Sequence, residues 1–446
     1  MNTPIVEFVE NYIGKDTSRL HMPGHKGLGL LGPEPIDITE IGGADELYEA
    51  EGIIEESENN ASALFGSAHT YYSTEGSSLT IKAMLAIAMR CADTDKPLIL
   101  AARNVHKTFI FGCALLGIDV EWIYPEGGCG LCDCLITEDD VRRALANCDR
   151  KPIGLYITSP DYLGNVQNLD VLSEFCHSNG FPLLVDNAHG AYLKFLPESE
   201  HPLDHGADMC CDSAHKTLPS LTGGAYLHIS GNAPKEFTEQ ARICLGLFAS
   251  TSPSYVIMQS LDMCNKYISE GYREKLISTI AKVDELKAKI LSFGWVLRDT
   301  EKLKIVIDCI ASGVDGNDVM ALLREHNIEC EFASFEHIVM MFTPENRHVD
   351  YERIEQALRF KPAEKAFEKE DEIRLQPSDK AKSIRDAVLG SQKTIAIGES
   401  TGRICASPVV SCPPAVPIVI SGEIITEDAV KVMEKYGIGK ISVCIK

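Results

Sequence analysis

The sequence predicts an α/β protein: a mostly parallel β-sheet covered by helices on both faces. Two observations predict it. Six apolar, β-rich runs fill the middle of the chain, "PLILAARN", "VEWIYPEG", "IGLYITSP", "PLLVDNAH", "ADMCCDSA" and "GAYLHIS", and helix-like stretches such as "TEDDVRRALANC" and "NLDVLSEFCHSNG" stand between them. Near-continuous apolar runs are what strands look like when both faces of their sheet are buried. With 446 residues, 45% of them hydrophobic, the chain is long enough for two or three domains with real cores.

Taken in order, residues 1–60 form an N-terminal arm, and residues 61–251 hold the large domain with the alternating pattern. Its first helix is read from "STEGSSLTIKAMLAIAMRCA", apolar nearly all round and opened by Gly76, Ser77 and Ser78. Residues 252–293 carry a long helical pattern and are expected to connect the domains. In 294–360, "LKIVIDCI", "GNDVMALLREHN" and "HIVMMFTP" read as a β-α-β unit of a small second domain. The charged stretch 361–380 reads as a linker, and 381–446 is a C-terminal segment.

Open α/β sheets bind ligands at the carboxyl ends of their strands, so the residues just after each run matter most. Lys216 follows "ADMCCDSA", Asp186 closes "PLLVD" with Asn187, Ala188 and His189 behind it, and His106 follows "LILAARN". Each has a plainer use: a solvated lysine in a polar loop, a turn-capping aspartate, a hydrogen-bonded core histidine. Together they supply an amine that partial burial can make nucleophilic, a carboxylate and a flat ring. Gly76, Ser77 and Ser78 add a helix N-terminus, whose amides and dipole bind phosphate, although a serine N-cap is the commoner use. An amine, an acid for a ring nitrogen and a phosphate cradle are the three parts that pyridoxal 5′-phosphate requires.

Seven motifs in order carry a resemblance: "RLHMPGHKG", "DITEIGGADELYEAEG", "RNVHKTF", "LLVDNAHGAY", "DSAHKTLPSLTGGA", "STSPSY" and "CPPAVPIVISGE". The chain resembles the pyridoxal-phosphate-dependent ornithine/lysine/arginine decarboxylases of fold type I. That resemblance implies a seven-stranded sheet, a smaller α+β C-terminal domain and a homodimer or higher homo-oligomer. It further implies that Lys216 binds the cofactor aldehyde, Asp186 pairs with the pyridine nitrogen and His106 stacks on the ring. Gly76, Ser77, Ser213 and His215 would hold the phosphate, with His189 beside them. "STSPSY" would approach a neighbouring subunit's cofactor. The shorter layout, without a receiver-like domain before "HMPGHK", leans towards arginine over lysine or ornithine by analogy. A distal cation on the substrate calls for a carboxylate, and Asp45 and Glu423 are the candidates, each with turn or loop capping as its alternative. Three positions depart from the family pattern: Glu75, Cys412 and Ala415, where relatives carry Asn, Tyr and Gly. Another pyridoxal-phosphate activity, such as transamination or elimination, or a non-catalytic regulatory relative, are the rival readings.

Composition narrows the partners. A net charge of −23 disfavours nucleic acid and anionic membranes. The N-terminus lacks the basic-then-apolar pattern of a secretory signal. The 16 cysteines are scattered rather than spaced as a framework, so a cytoplasmic enzyme acting on a small amino acid is expected. No metal is expected. "CGLCDC", Cys129 to Cys134, lacks a fourth ligand nearby, and Pro23 and Gly24 between His21 and His25 prevent a helix from aligning them.

Overall fold

Seven strands form the main sheet of the computed structural model, which describes residues 1–365, 374–410 and 415–445. They are β1 (His69–Ser73), β2 (Leu98–Ala102), β3 (Asp119–Ile123), β4 (Leu155–Thr158), β5 (Leu183–Asp186), β6 (Met209–Asp212) and β7 (Ala225–Ile229). Their order is β1-β7-β6-β5-β4-β2-β3. The pairs β2/β3 and β5/β6 are parallel, while β7 runs antiparallel to both β1 and β6. Every residue of β2, β5, β6 and β7 is buried, which is why these segments read as unbroken apolar runs. Only β1 was absent from the runs read in the sequence. "HTYYS" is short and half polar, and it becomes a strand by pairing with β7.

The helices along the same stretch are α1 (Pro4–Gly14), α2 (Ile53–Phe65), α3 (Ser77–Cys91), α4 (Lys107–Leu116), α5 (Glu138–Asn147), α6 (Leu169–Ser178), α7 (Ala214–Thr217), α8 (Lys235–Gly246), α9 (Tyr255–Ser269) and α10 (Tyr272–Ser292). Their ends follow local chemistry. Thr137 opens α5 with a reciprocal capping box to Asp140. Gly66 and Gly117 close α2 and α4 in the left-handed conformation. The helical pattern of 252–293 is two helices, not one, because Gly271 at φ +81° turns the chain between α9 and α10.

The chain divides into two units. The first comprises Met1–Asp95, Ile153–Leu155 and Leu169–Lys275. In it the Asp262 carboxylate accepts from the amides of Ile5 and Val6 at 3.0 and 3.1 Å and so fastens the start of α1. Glu58, within an acidic run that could pass for a solvated face, is buried instead. It accepts from the Tyr72 amide at 2.9 Å and from Arg242 at 2.8 Å.

The second unit comprises Lys96–Pro152, Tyr156–Asn168 and Leu276–Lys446. Its antiparallel sheet of β8 (Lys304–Asp308), β9 (Phe332–Ala333) and β10 (His337–Met341) packs with α11 (Gly316–Glu325) and α12 (His348–Leu358) around Ile305, Ile307, Val319, Leu323 and Ile338. Beyond it lie α13 (Ile384–Leu389), β11 (Gln392–Ala396), β12 (Val409–Val410), β13 (Pro417–Val419), α14 (Glu427–Lys435) and β14 (Lys440–Cys444). Arg103, 2% exposed at the end of β2, fastens this segment by donating to the Pro417 and Ile418 carbonyls at 2.8 and 3.0 Å.

Two of the departures from the family pattern fall here. Cys412 lies outside the described residues. Ala415 sits at φ +60°, in the left-handed region, and its carbonyl accepts from the Lys107 amide at 3.0 Å, capping the first turn of α4. A side chain there costs about 1–2 kcal/mol, which glycine avoids. Part of that relief is lost to the freer unfolded chain. Ala415→Gly is therefore expected to stabilise the protein by about 0.5–1 kcal/mol, read as a higher midpoint in denaturant. Among the described residues no helix is long and apolar enough to cross a membrane.

Candidate active site

The first unit brings most of the expected site residues to the ends of β5 and β6. Asp186 is the last residue of β5, 2% exposed, and its Oδ1 accepts from the Ala188 amide at 3.2 Å with the Cys211 thiol 3.6 Å away. A carboxylate buried at the end of a strand is costly unless hydrogen-bonding or cationic groups meet it. His189 follows, 5% exposed. Lys216 stands half-buried on α7, and its Nζ lies 3.0 Å from His189 Nε2. The lysine and imidazole nitrogens are within hydrogen-bond distance of each other.

The second cluster is built at the start of α3. Gly76 adopts φ +69° at the N-cap, a conformation that only glycine reaches without strain, and its amide donates to the Gly223 carbonyl at 2.8 Å. The helix begins at Ser77, whose hydroxyl lies 2.8 Å from that of Ser213, the N-cap of α7. Two hydroxyls, the first-turn amides of a fifteen-residue helix and Gly76 stand together in an arrangement that could hold an anion, a candidate cradle. His215 Nδ1 is 2.9 Å from the Gly224 carbonyl. A carbonyl only accepts, so the hydrogen is on Nδ1. Glu75 does not oppose this cradle. It is exposed and its Oε1 accepts from the Ser250 amide at 2.7 Å, so the carboxylate is tied to the first residue of "STSPSY".

Three candidates lie apart from these clusters in sequence. His106 belongs to the second unit, where it is the N-cap of α4 and its Nδ1 accepts from the Thr108 amide at 3.2 Å. That bond fixes the plane of the ring. Asp45 sits at φ +71° in a loop of the first unit and accepts from the amides of Glu46, Glu51, Gly52 and Ile54 at 2.8–3.1 Å. Burial works against its charge, but these amides outweigh it and hold the carboxyl below its usual range. Glu423, in the second unit, is 6% exposed and accepts from the Ile420 amide at 2.9 Å. Burial pushes its carboxyl up, and nearby Arg103 pulls it partly back. Both carboxylates serve their own turns, the capping use that the sequence left open for them.

A group bearing phosphate, an aldehyde and a basic ring nitrogen fits the first unit on the structure's own terms. The Gly76–Ser77–Ser213 cradle, the Lys216 amine and the buried Asp186 carboxylate match those three features. The sheet order and its helices define the fold class: fold type I, an architecture shared with pyridoxal-phosphate enzymes. A serine palmitoyltransferase from Sphingomonas wittichii shares the fold at TM-score 0.56 and 11% identity, over 80% of this chain and 83% of that one. Residues 3–311 match the family described as "Orn/Lys/Arg decarboxylase, major domain", and residues 360–436 match its C-terminal domain. The chain belongs to the Orn/Lys/Arg decarboxylase family. It is 28% identical to an arginine decarboxylase of Bacillus subtilis, over 97% of this chain and 93% of that protein. The lysine decarboxylase of Francisella novicida superposes at TM-score 0.79 with 18% identity, over 99% of this chain and 81% of that one.

Proposed function

We propose that this chain binds pyridoxal 5′-phosphate and decarboxylates a basic amino acid to the corresponding amine and CO2, arginine before lysine or ornithine. The observation that carries the reading is the Lys216–His189 pair beside the buried Asp186, on the sheet edge that also forms the anion cradle. Family membership supports decarboxylation over the other chemistries such a site could perform, and the likeness to the B. subtilis arginine decarboxylase supports arginine.

When bound, pyridoxal phosphate supplies the electron sink for the pair left on Cα as CO2 departs. Lys216 would anchor the cofactor at its aldehyde, and His189 would accept a proton from the Lys216 ammonium, which leaves the amine neutral. Asp186 would hold a proton on the ring nitrogen, and an ionised carboxylate is the partner that a cationic ring needs. Gly76, Ser77, Ser213 and His215 would fix the phosphate, and His106 would stack on the ring with its plane set by Thr108. A homodimer or higher homo-oligomer in the cytoplasm fits the reading, with "STSPSY" reaching a neighbouring subunit's site.

Substrate choice tests the finer part. A distal cation is selected by a charge-assisted bond to a carboxylate, and Asp45 and Glu423 are the candidates. If either reads the distal group, its change to Ala raises KM for arginine by about 10-fold or more while cofactor binding holds. Steady-state kinetics with arginine, lysine, ornithine and a non-basic amino acid check this. Unchanged KM in both variants would move distal recognition to other residues. Best turnover on an amino acid without a distal cation would overturn the basic-substrate reading.

A further inference from the structure

Directly beneath the site is a buried carboxylate that the reaction as described does not use. Asp212 ends β6 one residue before Ser213 and is 0% exposed. Its Oδ2 accepts from His201 Nε2 at 3.1 Å and from His228 Nε2 at 3.2 Å, and its Oδ1 accepts from Asn187 Nδ2 at 2.6 Å. All three donors are themselves fully buried. Burial opposes the charge, yet the two imidazoles hold the carboxyl well below its usual range, so the group is an anion.

The cluster is a hydrogen-bond network rather than a metal centre. His201, Asp212 and Cys210 bring ligand atoms within 4.8 Å of one another. His201 Nδ1, however, accepts from the Leu203 amide at 3.4 Å. The ring hydrogen is therefore on Nε2, where a metal would need a lone pair.

What the network holds is the end of β5. Asn187 lies between Asp186 and the Ala188–His189 turn. Its amide donates to the Cys211 carbonyl at 3.0 Å, and its Nδ2 donates to Asp212. Its Oδ1 has no hydrogen-bond partner among the described residues, so Asp212 is what fixes the Asn187 side chain. A charge-assisted bond of this length, with the carboxylate clamped from the other side by two imidazoles, leaves the backbone at 186–189 little freedom.

We propose that Asp212 is a positioning residue for the decarboxylation: acting through Asn187, it sets the orientation of Asp186 and His189 on the cofactor ring and Lys216. This deepens the reading of the site given above and rests on it. Residues that orient reacting groups from behind typically change rates by about 10–100-fold, and they act on kcat when the geometry they hold matters only in the transition state.

The experiment uses the pyridoxal-phosphate-loaded full chain as wild type, Asp212→Asn, Asn187→Ala and the double variant. Each is measured by kcat and KM for arginine and by visible circular dichroism, which reports the asymmetry of the bound ring. Asp212→Asn removes the charge but keeps the shape: the new amide oxygen still accepts from the two histidines, and the Asn187 amide can turn and offer Oδ1 to the new NH2. The expected result is a kcat lowered about 10-fold or more, KM changed less than about 3-fold, and a weakened visible dichroic band in both single variants. The double variant should be no worse than Asn187→Ala alone, since Asp212 acts through Asn187. Effects that add in the double variant, or folded single variants with wild-type kcat and dichroism, overturn the proposal. If Asp212→Asn fails to fold, Asn187→Ala alone decides, since it breaks the link and leaves Asp212 its two histidines. The dichroism needs only bound cofactor. A wild type that binds cofactor but releases no CO2 therefore sinks the functional reading while the dichroism still judges Asp212. A wild type that binds no cofactor overturns both.

Discussion

Lys216→Ala is expected to reduce CO2 release at least about a thousandfold and to abolish the visible absorption of lysine-bound pyridoxal phosphate. The size follows from the geometry. Lys216 Nζ is 3.0 Å from His189 Nε2, on the turn that follows β6 and beside the Ser77–Ser213 hydroxyl pair. Without the amine, the aldehyde has no covalent anchor and the substrate must react with a cofactor held by its phosphate and ring alone. Reduction with borohydride followed by peptide mapping checks the assignment directly. The label should fall on the peptide containing Lys216 in the wild type and be missing in the variant. A label retained on another lysine would contradict it.

The second large effect is expected at Asp186. Asp186→Asn conserves shape in a site that is 2% exposed, and the new amide can still accept from the Ala188 amide. An uncharged amide cannot hold a proton on the ring nitrogen, however, so the sink for the departing electron pair weakens. Turnover should fall by about two to four orders of magnitude, with cofactor occupancy close to wild type by absorbance. Near wild-type turnover at full occupancy would mean that another residue supports the ring nitrogen.

Much of this architecture was legible in the chain because burial leaves a plain mark. Strands buried on both faces appear as apolar runs, and "PLLVDNAH" and "ADMCCDSA" are enough to place Asp186 at a strand end and Lys216 just beyond one. The strand at His69–Ser73 was not legible, since it is defined by its partner Ala225–Ile229 rather than by its own composition. Nor was the network around Asp212. His201, Asp212 and His228 are brought together by a turn and by strand register, Cys210 opposite His228, which no spacing in the sequence reveals. A buried-strand aspartate with histidines on neighbouring elements was the available signal. It is weak without the register. Asp45 and Glu423 show the opposite limit: their residue type suits both substrate recognition and capping, and only the geometry shows four amides on one and a turn amide on the other.

Glu75 and Ala415 show how departures from a family pattern are absorbed. The glutamate beside the anion cradle is turned away and held by the Ser250 amide. The alanine at a left-handed position keeps its carbonyl on the first turn of the helix that His106 caps, at a conformational cost that glycine would remove.

The most direct test of the central claim is carbon release from arginine labelled at its carboxyl carbon, incubated with the purified, pyridoxal-phosphate-loaded protein. The expected result is labelled CO2 in one-to-one ratio with the amine product, at a rate above that with a non-basic amino acid. Label that stays in solution, as a 2-oxo acid or as unreacted arginine, while the visible band shows the cofactor bound, would contradict decarboxylation of arginine by this site.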